Sequence, residues 1–273
     1  MRQAVVRVAG HFGELLQGRI GRNGPVALVS LSCPALRVSA SLLPQKELTL
    51  HGAGQRLLTP QRARALLTHL GLAQPGRILL RAEMPVGGGA GASTAALVAV
   101  ARLAGWQGPP QVLAQACLAV EGASDPLMFA DAETLLWASR HGEILAHLPT
   151  LPAFEVIGGF YGPVQRTNPA DTDFPDIADL LLHWCNAAKA GDLAALADLA
   201  AVSARRTLER RGTGTDPTMS LAADLGALGY VIAHTGAARG LIFAPGGVPA
   251  RARQVLRQAG LRGIVQFRAG GQG

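Results

Sequence analysis

The stretch Met84-Pro85-Val86-Gly87-Gly88-Gly89-Ala90-Gly91-Ala92-Ser93-Thr94-Ala95 decides how this chain is read. It follows a short run suited to a strand, Ile78-Leu79-Leu80-Arg81-Ala82. It runs into Ala96-Leu97-Val98-Ala99-Val100-Ala101, which predicts a helix opening at Ser93. A glycine-rich loop at a helix start is suited to phosphate, because free backbone N–H groups and the positive end of the helix dipole converge there. Glycine serves where a Cβ would hold the phosphates away or where φ must be positive. Three phosphate-binding schemes compete. A P-loop needs Gly-Lys-Ser/Thr, and the lysines, Lys46 and Lys189, lie far from the loop. The same shortage removes the protein-kinase pattern. Gly87, Gly89 and Ala92 have the G-x-G-x-x-A spacing of a dinucleotide fingerprint. The acidic residue that should end a second strand about 20 residues later is missing. A purely structural glycine loop is the alternative to all three.

Outward from the loop, the first 85 residues read mainly as strands: Val5–Val8, Val26–Val29, Leu36–Ala40 and Ile78–Ala82. One helix interrupts them, Gln61 to Leu70, with Thr59 as cap and Pro60 in the first turn. A helix over Gln111 to Val120 ends at Glu121-Gly122. Two strands within Thr134 to Leu148 turn at His141-Gly142, with Trp137 and Leu145 as candidate core residues. A new unit opens at Phe154-Glu155-Val156-Ile157 after Pro149 and Pro152. It continues through helices at Ile177–Ala190, Leu193–Arg210 and Leu221–Leu228, a strand at Gly240–Phe243, a helix at Pro249–Gln258 and a strand at Gly263–Phe267. This segregation predicts an α+β protein of two lobes, residues 1–150 and 151–273.

The composition narrows the function classes. With 273 residues, 49% hydrophobic and 16% charged, the chain is no candidate for disorder and has enough length for a large core. Every apolar run is broken by Arg, Glu, Asp or Gly before the roughly 20 residues of a membrane span. The opening Met1–Val8 segment has charge within its apolar stretch and no small-residue cleavage site, so the expectation is a soluble cytoplasmic protein. The net charge of +7 raises nucleic acid as a partner. The basic residues are almost all arginines, scattered singly or in pairs, with only seven Phe, three Trp and two Tyr to stack on bases. An arginine-rich surface without nucleic-acid binding is therefore expected. Cys33, Cys117 and Cys185 are too few and too far apart for a disulfide framework or a zinc site, and read as core residues.

The residues around the loop resemble the phosphate loop of the GHMP kinases, the family of galactokinase, homoserine kinase and mevalonate kinase. Its pattern is Pro, three variable residues, then Gly-Leu-Gly-Ser-Ser. Pro85, Gly89, Gly91, Ser93 and Ala95 match, while Ala90 and Ala92 replace the usual Leu and first Ser. Gly10-His11-Phe12-Gly13-Glu14-Leu15-Leu16-Gln17-Gly18 is similar to the Cys-Gly-Glu-Leu-x-Gln-Gly segment of the L-threonine kinase branch, which serves propanediol utilisation and cobamide synthesis. Glu121 to Phe129 resembles that branch's Glu-Pro-Thr-Asp-Ser-Thr-Leu-Phe, and Ala233-His234-Thr235-Gly236 to Leu241 its Ala-His-Ser-Gly-x-x-x-Gly-Leu. The four segments stand in family order.

The resemblance implies a two-lobed GHMP kinase fold, with a ribosomal S5 domain 2-like N-terminal lobe and a ferredoxin-like C-terminal lobe. ATP would be bound by Pro85, Gly87, Gly88, Gly89, Ala90, Gly91, Ala92, Ser93 and Thr94, and Mg²⁺ by Ser93 and Glu121. Asp125 would be the catalytic residue, accepting or orienting the proton of the substrate hydroxyl. His11, Glu14, Gln17, Asp125, Thr235 and Gly236 would surround the substrate, with Glu14 either pairing an ammonium or holding the loop. Arg205, Arg206 and Arg239 are candidates for a substrate carboxylate, although a surface role suits each better. The implied activity is ATP-dependent phosphorylation of L-threonine to O-phospho-L-threonine, linked to cobalamin biosynthesis. A kinase for another small alcohol such as homoserine, or a catalytically silent nucleotide binder, is the alternative. The expected partner is the small hydroxy amino acid, with no nucleic acid and no membrane. The apolar helices after residue 177 suit either a core or a homodimer interface.

Overall fold

The computed structural model describes residues 4–43, 47–212 and 214–271. Two long antiparallel strands, β1 (Val5–Arg19) and β2 (Val26–Leu43), run through the middle of a ten-stranded sheet. The remaining elements in chain order are β3 (Thr49–His51), α1 (Pro60–His69), β4 (Arg77–Ala82), α2 (Ala92–Leu103), α3 (Pro110–Glu121), β5 (Leu135–Ala138), β6 (Glu143–His147) and β7 (Phe154–Phe160), followed by α4 (Ala178–Ala190), α5 (Leu193–Arg211), α6 (Thr218–Leu225), β8 (Gly229–Ile232), β9 (Ala238–Phe243), α7 (Ala252–Gln258) and β10 (Arg262–Ala269). The strand order is β10-β7-β9-β8-β1-β2-β4-β3, with β5 and β6 branching from β2. Every pairing is antiparallel except β3 with β4.

Local chemistry sets most of the boundaries. Thr59 caps α1 by accepting from the Arg62 amide at 3.3 Å, with Pro60 in the first turn. Asp192 caps α5 through the Ala195 amide at 3.0 Å. The α6 helix begins three residues before its expected start, because Asp216 accepts from the Thr218 amide at 2.9 Å, and it stops at Gly226 rather than Leu228. The expected strands Val26–Val29 and Leu36–Ala40 are one strand, β2. Its register against β1 jumps from Arg37 to Cys33 opposite Ala9 and Gly10. Leu145 is not in the core: among the described residues β6 pairs only with β5, and Ile144 and Ala146, one residue to either side, pack inward instead.

The α2 helix lies against β1 and β2, and α5 against β1 and β8. Nine of the ten positions of α2 from Ala92 to Ala101 are buried, Ser93 being the exception. Phe12 on β1 is fully enclosed, edge-on to Phe160 at 5.5 Å and Phe267 at 5.9 Å between ring centroids. Cys33 and Cys117 are buried and Cys185 half-buried, none in a disulfide. Burial pushes the Cys33 thiol up to about 12, so it behaves as an inert apolar group. Among the described residues, no helix is long and apolar enough to cross a membrane.

Candidate active site

The segment Gly10–Gly18, expected to follow the first strand, lies within β1. Regular alternation would put His11 and Glu14, three positions apart, on opposite faces. The register prevents it: His11 pairs with Ser32 and Glu14 with Ser30, so three steps on β1 oppose two on β2. Gly13 takes φ 77° inside this bulge. The extra residue restores parity, and both side chains face one cleft.

The glycine loop forms a wall of that cleft. Gly87, Gly89 and Gly91 all have positive φ, at 75°, 74° and 69°. Neighbouring chain takes up the loop's carbonyls. The Ala90 carbonyl accepts from His11 N at 3.3 Å, the Gly88 carbonyl from Ala237 N and Ala238 N at 2.9 Å, and the Gly87 carbonyl from Gln165 N at 2.8 Å. The amides from Gly89 to Thr94 donate to no acceptor among the described residues. They open α2, whose dipole adds to their positive potential. This is the donor set that a string of phosphate oxygens requires.

Ser93 donates its hydroxyl to Glu121 Oε1. Arg62, from the first turn of α1, reaches the same carboxylate oxygen at 3.2 Å. Burial raises the Glu121 pKa, and the Ser93 and Arg62 contacts oppose the rise. No cluster of three or more His, Cys, Asp or Glu side chains that would enclose a metal occurs among the described residues. Mg²⁺ does not require one, since it commonly takes one or two carboxylates and completes its shell with phosphate and water. A hydroxyl and a carboxylate beside free loop amides fit that requirement.

Asp125 lies beyond Ser93. Its Oδ2 accepts from Thr94 Oγ1 at 3.2 Å and stands 3.6 Å from His11 Nε2. His11 Nδ1 is 3.4 Å from Glu14 Oε1, so a buried imidazole bridges two carboxylates. Burial alone would lower the His11 pKa, but Glu14 and Asp125 outweigh it and raise it to about 9. Glu14 is pushed up to about 7, chiefly by burial and against the pull of His11. Asp125 is held below its ordinary value, because His11 and Thr94 outweigh its desolvation. A charged imidazolium thus keeps Asp125 ionised.

No protein-family model and no curated protein matches the sequence. Solved structures do match the fold. Homoserine kinase from Cytophaga hutchinsonii superposes with a TM-score of 0.62 at 18% identity, over 98% of this chain and 96% of that one. Phosphomevalonate kinase from Streptococcus pneumoniae gives 0.63 at 14% identity, over 99% and 100%. Galactokinase from Lactococcus lactis gives 0.61 at 14% identity, over 97% and 93%. The chain has the two-lobed GHMP kinase fold.

Within this GHMP kinase fold, His11, Glu14, Gly87, Gly89, Ala90, Gly91, Ala92, Ser93, Thr94, Glu121, Asp125 and Thr235 line one cleft. Pro85 and Gly88 form the back of the loop, where Gly88 N bonds the Pro85 carbonyl at 3.1 Å. His234, Thr235 and Gly236 form the turn between β8 and β9. Gly236 abuts the loop backbone and lines a neighbouring groove, not the cleft. Gln17 is also outside the cleft. It is fully buried, with Nε2 donating to the Ile232 carbonyl at 3.0 Å and its amide to Ser203 Oγ at 2.9 Å, and so ties β1 to β8 and α5.

The arginines considered from sequence are all paired: Arg205 with Glu209, Arg206 with Asp179, and Arg239 with Asp216. Sequence reasoning missed Arg140, which lines the cleft from the turn between β5 and β6. It also missed the connection 161–177 between β7 and α4, which crosses the cleft mouth. There Gln165 bonds the glycine loop, Thr167 Oγ1 lies 2.7 Å from Thr235 Oγ1, and Phe174 is sandwiched between His234 and Arg211. Neither had a local signal, because each gains meaning only from distant segments.

Proposed function

We propose that the protein is an ATP- and Mg²⁺-dependent kinase acting on the hydroxyl of a small hydroxy amino acid. L-threonine is the first choice, giving O-phospho-L-threonine for the aminopropanol arm of cobalamin-type cofactors. The observation that carries the reading is the row formed by the free amides from Gly89 to Thr94, the Ser93–Glu121 pair and the ionised Asp125. The solved kinases that share the fold support it, as does the order of the four sequence segments.

Phosphoryl transfer depends mainly on positioning and on cationic stabilisation of the developing charge. The loop amides and the α2 N-terminus would hold the triphosphate, and Ser93 with Glu121 would hold Mg²⁺, which would supply positive charge against the negative charge of the phosphates. Asp125 accepts a hydrogen bond from the substrate hydroxyl. With its pKa held low by His11, it is a weak base, so it aims the oxygen and receives the proton only as the new bond forms. His11 holds Asp125 in place and in charge, and Glu14 holds His11.

ADP release with Mg-ATP, measured with L-threonine, L-serine, L-homoserine and buffer alone, tests the reading, with Asp125→Ala alongside. Threonine-dependent turnover that falls at least about a hundredfold in the variant is expected, within the usual range for a positioned acid–base group. Tight ATP binding with no turnover on any acceptor would favour the silent nucleotide binder. Absence of ATP binding would refute the loop assignment.

A further inference from the structure

Arg140 Nη1 donates to Ser139 Oγ at 2.9 Å. Its Nε and Nη2 atoms are occluded from solvent and have no hydrogen-bond partner among the described residues. These two nitrogens point the same way and form the side-on fork that grips a carboxylate or phosphate with two parallel bonds. The nearby carboxylates are otherwise engaged. Asp125 Oδ2 is taken by Thr94 and His11, and both oxygens of Asp171 go to Arg211. An unpaired guanidinium at this depth is costly unless something docks on it.

The local backbone fixes where the fork stands. Ser124 N donates to the Ser139 carbonyl at 2.9 Å, and Trp137 Nε1 donates to the Ser124 carbonyl at 2.6 Å. Asp125 and Arg140 are each one residue on from this pairing, and both line the cleft. Two other arginines line it. Arg62 is committed to Glu121, and Arg166 is exposed on the connection over the mouth.

We propose that the side-on fork of Arg140 binds the carboxylate of the phosphoacceptor and selects hydroxy acids over simple alcohols. The inference rests on the kinase reading and adds a substrate class: a small acid whose hydroxyl reaches Asp125 while its carboxylate occupies the fork. The same donors would suit a phosphoryl oxyanion, so the test separates the two.

The experiment compares L-threonine with 1-amino-2-propanol, which keeps the amine and secondary alcohol but lacks the carboxylate, in wild type, Arg140→Gln and Arg140→Lys. Thermal melts check that each variant is folded. In Arg140→Gln, the KM for threonine rises about a hundredfold and the kcat/KM ratio of threonine to aminopropanol falls by a similar factor. Arg140→Lys recovers only a small part, because a point charge lacks the fork. An equal loss on both acceptors, or an effect confined to ATP or kcat, overturns the assignment in favour of the phosphoryl group. If wild type turns over no hydroxy acid, the kinase reading fails separately, and the fork is read from thermal shifts instead. Stabilisation by threonine but not by aminopropanol, lost in Arg140→Gln, upholds it. Its absence overturns it.

Discussion

Replacing Gly89 by Ala tests the architecture of the phosphate loop, and Gly71→Ala supplies a matched control. Both glycines have positive φ, 74° at Gly89 and 64° at Gly71. An L-residue there costs roughly 1–2 kcal/mol from backbone sterics. At Gly71, just past α1, a Cβ meets nothing within 4 Å, so that cost is the whole effect. At Gly89 the Cβ falls 2.3 Å from Ala233 Cβ and 2.4 Å from the Thr235 carbonyl oxygen. Neither obstacle is the end of a flexible side chain. Relief requires the loop and the β8–β9 turn to separate, at about 1–3 kcal/mol more by the usual cost of overpacking. Gly71→Ala should therefore lower the melting temperature by about 2–8 °C and Gly89→Ala by about 4–20 °C, at roughly 2–4 °C per kcal/mol for a chain of this size. Melts with and without Mg-ATP add a functional readout: nucleotide should stabilise wild type and Gly71→Ala, but not Gly89→Ala. Equal melting losses, with the nucleotide shift retained in both, would refute the argument that the loop is shaped by its contact with the turn.

Glu121→Gln should raise the Mg²⁺ concentration for half-maximal activity about tenfold while changing stability little, because burial already disfavours the charge it removes. A metal titration of ADP release checks this. His11 is raised from 6.5 to about 9, so the stability it contributes is full below pH 6.5 and is lost as pH rises through about 9. Urea unfolding of wild type and His11→Asn should differ most at pH 6 and converge above pH 9, whereas a constant gap would contradict the sign. Below about pH 7 Glu14 gains a proton, leaving Asp125 as the charged neighbour of His11. Gln17→Ala should cost about 1–3 kcal/mol by removing the Nε2 donor from the buried Ile232 carbonyl, while the backbone bonds to Ser203 remain. Its kcat and KM should match wild type, and a selective rise in KM would return Gln17 to the substrate site.

What could be read from the sequence was what depends on neighbours in the chain. The cap and proline at Thr59-Pro60, the glycine loop running into α2, and Gly122 closing α3 all carry their signals within a few residues. The run Gly10–Gly18 supplied the right residues but not their geometry, since a bulge exists only against a partner strand. Gln17 shares the motif with Glu14, yet it sits beyond the cleft where β8 and α5 meet β1. Arg140 had no motif at all, and its significance comes from partners it lacks. Leu145 failed for a simpler reason: on an edge strand, a reading displaced by one residue exchanges core for solvent.

The bulge between His11 and Glu14 constrains how this segment can change over generations. Substitutions there act one side chain at a time, and many leave the strand's inside and outside as they were. Straightening the bulge at constant length would be different in kind. With three steps against three the strand would alternate regularly, and Glu14 would be turned toward the opposite side of the sheet. The segment would still look like the motif on paper. Lineages carrying this fold should therefore hold the glycine that makes the kink, Gly13 at φ 77°, as strictly as the two side chains it aligns.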